Sequence, residues 1–155
     1  MEATTEQLQR YQLQQRARIG SNWFYWIAGL SLITSIVQLS GSQWGFIAGL
    51  GITQVFDAMG ATMGAAGKTT AAILDVFAAV LFIGLGYFAR KHGAAFVIGL
   101  VIYALDSLIF LWVRQWIGIA FHAFVIFSIV QGYKAFRQIT PSPAIDSAST
   151  EPIQP

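Results

Sequence analysis

Five residues have the types and spacing to do chemistry: Asp57, Asp75, Tyr103, Asp106 and His122. Each is an ionisable side chain set in or beside a long apolar run. Carboxylates and an imidazole held together can pass protons, bind a cation or hold a divalent metal. The competing reading is structural, in which the same groups bond to one another and fix helix packing. Tyr103 precedes Asp106 by three residues, which puts both on one helix face. Thr53 and Gln54 relate to Asp57 by the same logic. Ala71, Ala72, Ala78 and Ala79 surround Asp75, and such a small-residue patch lets a neighbouring helix approach the carboxylate.

The surroundings say what solvent these groups meet. Hydrophobic residues make up 55% of the 155-residue chain and charged residues 10%, against about a quarter charged in a soluble domain. Bilayer-length apolar runs need about 20 residues at 1.5 Å rise each. Four candidates come close: residues 23–39, 71–89, 94–113 and 117–133. The aromatic cluster Trp23, Phe24, Tyr25 and Trp26 stands where an interfacial belt would sit. The long polar lead with Glu2 and Glu6 fits an uncleaved first helix better than a signal peptide. Residues 1–22 are polar and glutamine-rich, with only a weak apolar stripe, and read as an interfacial helix or a loosely ordered segment. Residues 138–155 hold all four prolines and no core-forming pattern, so a disordered tail is expected.

The links after the second and third runs are very short, so the last three helices are expected as antiparallel neighbours. Counted from their shared membrane face, Asp75, Asp106 and His122 all fall at a depth of roughly 7–12 Å. They are therefore expected in one polar cluster with Tyr103 and Asp57.

Residues 44–58 are the ambiguous stretch. The run Trp44 to Phe56 is apolar but only 13 residues long, more typical of a re-entrant or interfacial segment than of a crossing. Charge placement decides between topologies. With four spans, Arg10, Arg16, Arg18, Arg90, Lys91, Lys134 and Arg137 share one side, and only Lys68 and Arg114 lie on the other. With five spans the split is five against four. The positive-inside rule favours seven against two. The expected fold is thus an all-α integral membrane bundle of four antiparallel helices, spanning 23–137, with a glycine-rich re-entrant segment between the first and second and both termini cytoplasmic. Five spans are the alternative. The similarity of Phe46–Leu50, ending at Asp57, to Phe96–Leu100, ending at Asp106, speaks for it.

Other motifs carry less. Gly67-Lys68-Thr69-Thr70 imitates the end of a phosphate-binding loop, but Thr62 stands where that loop needs glycine, and no strand precedes it. The glycines are expected to form a turn, with Thr69 or Thr70 capping the next helix. Gly41, Gly45 and Gly49 recur every four residues, a close-packing face for a helix of this chain or of a second copy. The chain has no cysteine, which removes disulfides and thiol chemistry. No serine-hydrolase or zinc-protease motif is present, so no enzyme is expected. No cofactor is expected either. A metal ion, or a haem or pigment ligated by His122, is the weaker alternative. The pI near 9.2 comes without a basic cluster of the kind nucleic acid needs, so the expected partners are the lipid bilayer and a second copy or larger membrane complex.

The stretch from Gly99 through Tyr103 to Asp106, followed by Gly118 through His122 to Phe124, resembles uncharacterised small multi-helix inner-membrane proteins of bacteria. The resemblance runs from about Trp23 to Arg137 and implies a bacterial inner-membrane location, with no activity attached. The functional expectation is proton, cation or small-solute handling through the Asp/His cluster. An accessory or assembly subunit is the alternative, and an intramembrane enzyme comes third.

Overall fold

The computed structural model describes residues 2–40 and 49–140. Among these residues the chain forms five helices and no strand: α1 (Glu2–Leu39), α2 (Gly51–Thr62), α3 (Gly64–Ala89), α4 (Gly93–Trp112) and α5 (Trp116–Ile139). Gly41, Gly45, the start of the 44–58 stretch and the tail from residue 141 lie outside the described residues.

Two boundaries differ from those read in the sequence. The polar segment and the first apolar run form one unbroken helix of 38 residues, about 57 Å long. Gln, Arg, Ala and Leu are good helix formers, and an established helix propagates through them at little cost. Residues 4–19 of α1 are almost wholly exposed. The helix expected at residue 71 starts at Gly64 instead. Thr69 and Thr70 are therefore not caps. Their hydroxyls donate to the carbonyls of Ala65 and Ala66, 3.1 and 3.0 Å away, inside the helix. The turn falls earlier, at Met63 and Gly64. The Met63 N–H donates to the Gly60 carbonyl, and Gly64 takes φ +71°, a left-handed conformation that glycine adopts without steric cost.

Direction follows from which residues meet. Gly20 packs on Gly132 and Trp23 on Phe124, so α1 and α5 are antiparallel. Asn22 bonds Arg90, and Tyr25 lies on Gly86, so α1 and α3 are antiparallel too. Gly20 approaches Phe96, and Phe24 packs on Gly99, so α1 and α4 are parallel. The crossing of α1 and α5 is a backbone contact: a Cβ on Gly20 would lie 2.5 Å from the Gly132 Cα. The core centres on Phe24, with ring centroids 6.2 Å from Phe82 and 6.1 Å from Phe96. Phe82 in turn meets Tyr103 edge-on. Such offset contacts are worth about 0.5–1.5 kcal/mol each beyond burial.

The outside is as apolar as the inside. Ile73, Val76, Phe77 and Val80 on α3, Val101, Leu105 and Leu108 on α4, and Phe124 and Phe127 on α5 are exposed. Water-soluble monomers rarely present apolar patches beyond a few hundred Å2. Helices α3, α4 and α5 are each long and apolar enough to cross a membrane, and only 28–33% of their most apolar stretches is buried inside the protein. These are the marks of a membrane protein. Trp112 and Trp116, at the turn between α4 and α5, are more exposed still, as an interfacial aromatic belt requires.

Candidate functional site

Helix α2 starts in the interior of the bundle, so its first N–H groups need partners. The sequence supplies no local cap, since Leu50 precedes the helix. Partners come from other helices. The Leu50 N–H donates to the Ser31 Oγ of α1 at 2.9 Å, and the Ser31 hydroxyl in turn donates to the Ile27 carbonyl. The next two donors go to Asp106 on α4: Gly51 N lies 2.7 Å from Oδ2 and Ile52 N lies 2.9 Å from Oδ1. A carboxylate at a helix N-terminus is favoured both by these bonds and by the helix dipole. Thr53 closes the first turn by donating its hydroxyl to the Leu50 carbonyl at 2.8 Å.

His122 on α5 completes this group. Its Nε2 lies 3.2 Å from the Asp106 Oδ2, and its Nδ1 lies 2.8 Å from the Gly118 carbonyl. A carbonyl only accepts, so Nδ1 carries a hydrogen. The bond from Nε2 to Oδ2 then needs one further proton, held by one partner or the other. The imidazole is fully buried. It stacks on Tyr103 with centroids 4.5 Å apart and planes 12° apart, and Phe110 covers it at 4.4 Å. Tyr103 contributes its ring face, while its buried hydroxyl has no hydrogen-bond partner among the described residues.

Asp75 is elsewhere. It faces Asp57 on α2, and Ser35 of α1 interacts with both. Asp57, Asp75 and Ser35 are 7%, 2% and 4% exposed. None of their five side-chain oxygens makes a well-formed hydrogen bond to a described residue. Asp57 lies six residues beyond Gly51, about 9 Å along α2. The five side chains expected in one cluster thus fall into two groups joined by α2. Asp106, His122 and Tyr103 meet at its N-terminus, and Asp57 and Asp75 meet further along.

Of the three packing glycines, Gly49 is described, and it meets this chain's own α1: a Cβ there would lie 2.9 Å from the Thr34 Oγ1. No group of three or more His, Asp or Glu side chains among the described residues is placed to hold a metal ion. His122 has both ring nitrogens engaged and both faces covered, so it offers no nitrogen to a haem or pigment. His92 is exposed in the turn between α3 and α4.

Ser31 and Ser35 did not stand out in the sequence. The signal for them is the spacing Ser31, Thr34, Ser35, which lays a polar stripe along one face of an apolar helix. The chain matches no protein-family model, no curated protein and no solved structure.

Proposed function

We propose that this chain is a four-span inner-membrane protein that handles a proton or small cation through the Asp57–Asp75 pair. In this reading α2 is a re-entrant half-helix, and Asp106 with His122 is the clamp that holds it. The observation that carries the reading is the pair itself: two buried carboxylates face each other, and among the described residues none of their four oxygens makes a well-formed hydrogen bond. Unpaired charge in the hydrocarbon region costs several kcal/mol, so such groups stay neutral or take a cation. The one ion pair among the described residues is the His122–Asp106 contact, so no lysine or arginine offsets Asp57 or Asp75. Asp106 differs in kind, because both its oxygens are bonded, to the first N–H groups of α2 and to His122.

The path of the chain supports a re-entrant α2. The chain leaves α1 at Ser40 and is back beside Ser31 by Leu50, about 12 Å inside the end of α1 by helical rise. Twelve residues are too few to cross a bilayer. An open helix end at membrane depth is tolerated only when protein satisfies its backbone, which Asp106 and Ser31 do. The seven-to-two charge asymmetry then argues for both termini in the cytoplasm.

Proteoliposomes loaded with a pH-sensitive dye test the reading. An imposed proton or sodium gradient should collapse faster with the protein than without it, and D57N/D75N should return the rate to that of empty vesicles. Equal rates for the native protein and empty vesicles, or for the native protein and the double variant, contradict it.

A further inference from the structure

The opposite end of the bundle carries a feature the ion reading does not use. Arg18 on α1 and Arg90 at the end of α3 border a cavity of about 340 Å3 between α1, α3 and α5. Ala17, Ala89, Phe136 and Ile139 form an apolar wall, and Gln14, Ser21 and Thr140 complete the lining. Arg90 is held in place. Its Nη2 donates to the Asn22 Oδ1 at 2.8 Å, and its guanidinium lies 5.2 Å from the centre of the Tyr25 ring. A guanidinium has five N–H donors, so most of those on Arg90 remain for another acceptor. Arg18 is exposed. Among the described residues no acidic side chain lines the cavity, and no ion pair engages either arginine.

Depth gives the cavity its meaning. Arg90 follows directly on Tyr87 and Phe88, the last exposed apolar side chains of α3. On α1 the same level is Asn22, with Trp23 and Trp26 on one side and the exposed polar half of the helix on the other. The cavity therefore straddles the boundary between apolar and polar surface, with guanidinium groups at its polar mouth. A planar guanidinium recognises phosphate oxygens in pairs, and basic pockets between helices at this depth suit lipid headgroups.

We propose that this cavity binds the headgroup phosphate of an anionic phospholipid, with an acyl chain along the Ala89–Phe136–Ile139 wall. A soluble phosphate would have no use for that wall.

Native mass spectrometry of the full chain, released from micelles containing phosphatidylglycerol and phosphatidylcholine in equal amounts, reads the bound lipid directly. The native protein should retain phosphatidylglycerol preferentially. The preference should fall roughly fivefold for each arginine removed in R18Q and R18Q/R90Q. Arg114→Gln, at the far end, should keep it. Arg90 also supports Asn22 and Tyr25, so R18Q alone decides if the double variant does not fold. Equal retention of the two lipids by the native protein overturns the proposal, as does an unchanged preference in R18Q. Displacement of phosphatidylglycerol by millimolar inorganic phosphate reassigns the site to a soluble ligand and overturns it as well.

Discussion

The Asp106 carboxylate lies 2.7 Å from the backbone nitrogen of Gly51, which precedes it by 55 residues. One side chain of α4 thereby fixes where α2 begins, and hence where Asp57 sits opposite Asp75. Removing that side chain should cost more than the bonds alone suggest. Asp106→Ala would take away the acceptor of the Gly51 and Ile52 N–H groups and the partner of the His122 Nε2. A loss of about 3–5 kcal/mol is expected, read as the unfolding free energy in detergent. His122→Phe removes one contact to Asp106 and keeps ring packing, so its loss should be smaller, about 1–3 kcal/mol.

Asp57 and Asp75 should behave in the opposite sense. Among the described residues their oxygens make no well-formed hydrogen bond, and bringing two carboxylates together in a buried site opposes folding. Asp75→Asn should raise stability by about 1–2 kcal/mol while abolishing ion handling. A site that weakens the fold and is needed for activity is the signature of function rather than packing. Equal destabilisation by Asp75→Asn and Asp106→Asn would place both aspartates in the same structural role.

The crossing of α1 and α5 predicts a steep glycine dependence. Gly20→Ala drives a methyl group into the Gly132 backbone and should cost about 1–3 kcal/mol. Gly29 has nothing within 4 Å of an added Cβ. There, alanine should be neutral or stabilise by up to about 1 kcal/mol through helix propensity. Thermal unfolding of the two variants side by side checks the pair.

Topology is open to a clean chemical test, since the chain has no cysteine. Lys68 and Arg90 lie near opposite ends of α3, and both are exposed. Lys68→Cys should react with a membrane-impermeant maleimide in intact cells. Arg90→Cys should react only after permeabilisation. Reaction of both from the same side would mean that α3 does not cross.

The long helices were legible because apolar runs and short links leave few alternatives. Residues 71–89 and 117–133 fall inside α3 and α5, and 94–113 matches α4 but for its last residue. The extent of α1 was not legible, because residues 4–12 are exposed throughout and their helicity comes from propensity and from the helix they extend. Gly67 reads as part of a turn, yet it and Gly60 mark the place where α2 and α3 touch, with a Cβ on Gly60 only 2.7 Å from the Gly67 carbonyl oxygen. Equal depth pairs Asp106 with His122, and the fold brings the two within 3.2 Å. Depth could not separate Asp75 from them, because its partner depends on α2 folding back along α3, and no local pattern encodes that return. Ser35 was hidden for the same reason.

Infrared difference spectroscopy of the reconstituted protein tests the central claim most directly, because it observes carboxyl protonation without requiring transport. Spectra taken between two pH values, and with and without sodium, should show a protonated-carboxyl stretch that changes in the native protein. That band should shift in Asp75→Asn and Asp57→Asn and persist in Asp106→Asn. A native spectrum with no carboxyl change, or a band that disappears only when Asp106 is replaced, would contradict an exchangeable ion at the Asp57–Asp75 pair.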